Sequence, residues 1–101
     1  MDITIFVSGA EIPADAWFSL IDSDPELAER GVMTCVNPIT GKTLRMGSTV
    51  GIAFFQPDGK ETLGAFAYQK GKIFCENAND RTAAKAEQIA KALHAELAMA
   101  E

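Results

Sequence analysis

The chain has 101 residues, 48% of them apolar and 23% charged, with a formal net charge of −5 and a pI near 4.8. That is chain enough for one hydrophobic core and too apolar for disorder, and the overall acidity works against attraction of the whole chain to nucleic acid or anionic lipid. The charge is also segregated: residues 1–30 hold seven acidic side chains and one basic, residues 31–75 five basic and two acidic, and residues 76–101 five acidic and three basic.

Ile3-Thr4-Ile5-Phe6-Val7 is β-branched and aromatic and ends at Ser8-Gly9, the pattern of a first strand. Pro13 suits the opening of a helix, where its missing N–H costs nothing, and Trp17, Leu20 and Ile21 follow at helical spacing. Ser23 and Glu26 have capping-box spacing, so a second short helical turn is expected before Gly31, with a kink between the two. From Gly31 the period changes to two. Val32 to Val36, Thr43 to Met46, Thr49 to Gln56, Thr62 to Gln69 and Lys72 to Glu76 read as strands. They are separated by Asn37-Pro38, Thr40-Gly41, Pro57-Asp58-Gly59-Lys60 and Lys70-Gly71. Connections this short force antiparallel neighbours. Residues 79–100 read as one closing helix, capped by Asn79 or Asp80, with Ala86, Ile89, Ala90, Leu93, Leu97 and Ala100 in one apolar stripe.

The expected fold is α+β: an N-terminal strand, a short kinked helical region, a β-meander over 31–76 giving an antiparallel sheet of about five to six strands, and the helix 79–100 packed on one sheet face. A single helix covers one face only. Alternation puts Ile52 and Phe54 on one side of the central pair and Phe55, Phe66 and Tyr68 on the other, so the second face needs a cover of its own. Trp17 with Phe18 is the simplest one, and a second subunit or a partner are the others.

The single histidine, His94, sits at the border of the apolar stripe, and no serine has a histidine or lysine at a recognisable spacing. Gly41-Lys42-Thr43 resembles the tail of a phosphate loop, but Val36 stands where the loop needs its first glycine. Cys35 and Cys75 with one histidine make no zinc motif; two buried thiols are the expectation, and one disulfide is the alternative if their strands are neighbours and the side chains share a face. Asp22, Asp24, Glu26 and Glu29 lack the spacing of a calcium loop. No catalytic constellation, metal site or cofactor is therefore expected. No apolar run approaches the roughly 20 residues that span a bilayer, and Met1 to Val7 lacks the positive start of a signal peptide, which points to a cytoplasmic protein.

What remains points to partners. The acidic first third, with Asp15, Trp17, Asp22, Asp24, Glu26 and Glu29 as its candidate surface, suits a small non-enzymatic protein-binding module of inhibitor, immunity or adaptor type, facing a partner with a basic surface. The alternative is a homodimeric ligand-binding or subunit-type domain. A weaker alternative is single-stranded nucleic-acid binding, because Lys42, Arg45, Lys60, Lys70 and Lys72 are interleaved with Phe54, Phe55, Phe66, Tyr68 and Phe74. Most of those cations fall at turns, where lysine is ordinary solubilising chemistry.

Overall fold

A computed structural model of the chain describes residues 1–29, 33–47, 50–59 and 61–100. The elements in order are β1 (Asp2–Phe6), α1 (Ala14–Ser23), β2 (Leu27–Ala28), β3 (Met33–Val36), β4 (Thr43–Met46), β5 (Ile52–Phe55), β6 (Gly64–Gln69), β7 (Lys72–Cys75), α2 (Asp80–Ala92) and β8 (Glu96–Ala100). Six strands form one antiparallel sheet in the order β2-β5-β6-β7-β1-β8, and β3 and β4 form a separate two-stranded hairpin. The fold is α+β, as expected, with α2 against the strands. Gly31, Val32, Ser48, Thr49 and Lys60 lie outside the described residues.

The strand alternation resolves the two sheet faces. Ile3, Ile5, Leu27, Ala53, Phe55, Phe66, Ile73 and Cys75 are all buried on one of them. Trp17 and Ile21 from α1, and Ala83, Ala86, Ile89 and Ala90 from α2, join the same cluster. Both helices therefore cover the same face. The expectation that Trp17 covers the second face is not met. The Trp17 indole Nε1–H instead donates to the Gly51 carbonyl at 3.0 Å inside the common core. The Cα extents of 46 × 37 × 21 Å fit one helix layer on one sheet.

Three boundaries depart from the sequence reading, each for a physical reason. After Ser23 the chain makes an Asx turn, in which the Glu26 amide donates to Asp24 Oδ1 at 2.9 Å and the Leu27 amide to the Asp24 carbonyl. The expected second helical turn is therefore replaced by a bend into β2, which pairs with β5. The closing helix stops at Ala92 rather than running to 100. His94 takes φ +53°, the His94 amide donates to the Lys91 carbonyl, and the Ala95 amide donates to the Ala90 carbonyl. That is a Schellman ending with histidine where glycine is usual. Residues 96–100 then pair with β1 over five positions, so tertiary pairing overrides the helix preference of Leu97, Ala98, Met99 and Ala100. Finally, the meander holds for β5-β6-β7 but not for β3 and β4, which leave the main sheet as a hairpin.

Close approach of α2 to the sheet depends on Gly64. A Cβ there would lie 2.7 Å from Cγ2 of the fully buried Thr82, whose hydroxyl donates to the Leu63 carbonyl. The other end of α2 is set by Asn79, whose side chain accepts from the Thr82 amide at 2.9 Å as the N-cap.

The cysteines divide. Cys75 is buried, and burial pushes its thiol pKa up in spite of a backbone hydrogen bond with Ala65. Cys35 lies on β3 and is exposed, against the expectation of burial, and both are free thiols on separate sheets. In the native protein one thiol should react promptly with a colorimetric disulfide reagent, and the second only after denaturant is added. Two prompt equivalents, or none, would contradict this placement.

Candidate functional site

The acidic residues singled out from sequence are brought together, but mostly with partners of their own. Lys85 projects from α2 with 4% of its side chain exposed and donates to Asp24 Oδ2 at 2.6 Å and to Glu26 Oε1 at 2.8 Å. Its ammonium lies 5.9 Å from the Phe55 ring centroid. Arg45 projects from β4, donates from Nη2 to Asp22 Oδ2 at 2.6 Å and from Nη1 to Glu29 Oε1, and lies 4.4 Å above the Phe18 ring. The second oxygen of Glu29, Oε2, is buried with no hydrogen-bond partner among the described residues, which leaves Arg45 as the compensation for that charge.

Two cations thus grip four carboxylates within an eight-residue segment, each from a different part of the chain. Lys85 ties α2 to the bend before β2, and Arg45 ties the β3–β4 hairpin to the end of α1. Asp15 remains exposed in the first turn of α1, where a carboxylate favours the positive end of the helix dipole. Trp17 is fully buried and offers no surface. Asp15, Asp22, Lys42 and Arg45 line a cleft of about 570 Å³ with Phe18 and Leu44, between α1 and the hairpin. The acidic third and the basic middle of the sequence meet there.

The aromatic residues of the middle segment separate by face. Phe55 and Phe66 are in the core, and the Tyr68 hydroxyl donates to the Ile12 carbonyl at 2.6 Å on the same side. Phe74 and Phe54 are left on the open face of the sheet. There the row Ala98-Thr4-Phe74-Ala67-Ile52 crosses five strands, and the small side chains of Ala65 and Ala67 leave a shallow trough of about 560 Å³.

The surface that sequence reasoning missed is the hairpin. Among the described residues six large apolar side chains are substantially exposed, and four belong to this unit: Val36 at 63%, Ile39 at 92%, Leu44 at 49% and Met46 at 52%. The loop that carries Ile39 is built, not loose. The Asn37 side chain accepts from the Ile39 and Thr40 amides, the Gly41 amide donates to the Asn37 carbonyl, and the Asn37 amide donates to the Lys42 carbonyl. Gly41 at φ +70° supplies the left-handed position that closes it. The available signal was Ile39 standing alone inside a turn sequence, an apolar residue with no strand or helix to bury it.

Among the described residues no group of three or more His, Cys, Asp or Glu side chains converges as a metal site, and no helix is long and apolar enough to cross a membrane. Comparison with protein-family models, with curated proteins and with solved structures yields no match.

The Lys85 pair carries a stability prediction. Burial alone pushes the ammonium pKa down, but the hydrogen bonds and charges of Asp24 and Glu26 outweigh it and hold it above the ordinary lysine value. A raised folded pKa stabilises fully below the unfolded value and is lost as pH rises through the folded one. Urea unfolding of the wild type should therefore show a loss of stability beginning above about pH 10.4. At neutral pH, Lys85→Met should cost about 1–3 kcal/mol, because the two carboxylates lose their partner but are exposed enough to regain water. The variant should also lack the Lys85 part of the alkaline loss. An unchanged alkaline profile in Lys85→Met would contradict the assignment.

Proposed function

We propose that the protein is a non-enzymatic protein-binding module that engages its partner through the β3–β4 hairpin. The observation that carries this reading is the concentration of exposed apolar side chains, Val36, Ile39, Leu44 and Met46, on one small unit outside the main sheet. Leu44 and Met46 share one hairpin face, Val36 lies on the other and Ile39 stands in the connecting loop; large apolar side chains left this exposed are costly in water and mark association sites. A two-stranded hairpin is marginal by itself, and this one is held to the domain at its base by Arg45. The Asn37 turn fixes the loop before any partner arrives, which lowers the ordering cost of binding.

This reading keeps the class expected from sequence and moves the surface. Asp24, Glu26 and Glu29 are occupied by Lys85 and Arg45, which leaves less free negative charge for a basic partner than the sequence suggests. The single-stranded nucleic-acid alternative is weakened by the placement of Phe55 and Phe66 in the core.

The test is affinity capture from the native host with the wild type and with the double variant Ile39→Asp, Met46→Asp. Truncating the centre of an interface typically costs 2 kcal/mol or more, so the captured partner should bind at least about 30-fold more weakly. The thermal unfolding midpoint should hold, since both positions are solvent-exposed. Undiminished capture by a folded double variant would overturn the proposal.

A further inference from the structure

β8 is the last strand of the main sheet. One side pairs with β1 along all five residues, and the other carries no strand among the described residues. Long edge strands ordinarily carry a lysine, a proline or a bulge that blocks further pairing. Glu96-Leu97-Ala98-Met99-Ala100 has neither lysine nor proline, and its single charge stands at its start. Its pairing with β1 runs in unbroken register, and Met99 is 44% exposed. We infer that this edge is a homodimer seam, in which β8 of a second copy pairs antiparallel about a two-fold axis through Ala98.

The strand is self-complementary in that register. Glu96 faces Ala100 of the second copy, Leu97 faces its Met99, and Ala98 faces Ala98, so no charge opposes a like charge. A two-fold perpendicular to the sheet keeps the pleat in phase, so Leu97 and Met99 of both copies stay on the helix side. Ile5 already pairs with Leu97, and Ile3 with Met99, in each chain. One apolar row, Ile5-Leu97-Met99-Ile3, then crosses the seam as a continuation of the core.

The helix layer continues as well. α2 packs over β1 and β8. Its start packs on Gly64 of β6, so α2 crosses the sheet obliquely and its later turns are the part that the two-fold carries toward the second copy. Lys85 leans toward β2 at the far end of the sheet to reach Asp24 and Glu26. Glu87 and Lys91 are exposed on the other side of the helix, facing the seam. The two-fold makes the helices antiparallel, which brings Glu87 of each copy toward Lys91 of the other. Strand edge and helix flank together supply the two layers that a stable interface needs.

Light scattering on the purified full chain should give twice the 10.8 kDa chain mass at micromolar concentration. Ala98 is exposed and points away from the core, so Ala98→Lys or Ala98→Glu alters the seam without disturbing the fold. Each variant alone opposes like charges at the axis and should fall to the single-chain mass with an unchanged circular dichroism spectrum. Mixing the two in equal amounts should restore the doubled mass. A wild type at single-chain mass, leaving the edge to some other protein, overturns the inference, as does a dimer that both substitutions leave intact.

Discussion

Four carboxylates in eight residues, Asp22, Asp24, Glu26 and Glu29, pose the electrostatic problem that shapes this molecule. Left in a continuous helix they would repel one another on neighbouring turns. The chain instead bends at Asp24 and offers the charges in pairs to two cations from distant parts of the sequence. Lys85 fixes where α2 lies, and Arg45 fixes where the hairpin leaves the domain. Each cation sits near an aromatic ring, Phe55 or Phe18, that belongs to the same corner. Four of the seven carboxylates of the acidic first third are thus matched within the chain, two by Arg45 of the basic middle and two by Lys85 of the last third.

The second constraint is arithmetic. A sheet has two faces, and both helices are spent on one of them because Trp17, Phe66 and Ile89 share a single core. The open face sets small side chains beside its large ones: Thr4, Ala65, Ala67 and Ala98 lie among Phe74, Phe54 and Ile52. The hairpin leaves larger apolar side chains more exposed, with Ile39 at 92% and Val36 at 63%. Its exposed apolar side chains stand on a unit with little core of its own, which is why the functional proposal rests there.

Most of the fold was legible in the sequence because local chemistry and tertiary context agree. Pro13 opens α1, Asn79 caps α2, and the Pro57-Asp58-Gly59 and Lys70-Gly71 turns fix the β5-β6-β7 meander. The sequence misled where a local signal was real but outbid. Ser23 and Glu26 have capping-box spacing, yet Asp24 turns the chain first. Leu97 to Ala100 continue a helical stripe by composition, but β1 offers a free edge, and His94 can adopt the left-handed conformation that ends the helix. Of the candidate site, the carboxylates were found and their partners were not. Arg45 and Lys85 are far from them in sequence, and nothing in a local pattern announces an ion pair across 16 to 61 positions.

The carboxylates of residues 22–29 are matched inside the molecule, and the proposed association uses the apolar surface of the hairpin instead. The most direct measurement is the affinity for the captured partner as a function of ionic strength. Exposed charges more than about 10 Å apart are already largely screened at 0.1 M salt, and apolar contacts are not weakened by it. The dissociation constant should change less than about threefold between roughly 0.05 and 0.5 M salt. A steep loss of affinity over that range, relieved by neutralising Asp15 and Asp22, would contradict it and return the binding surface to the acidic corner.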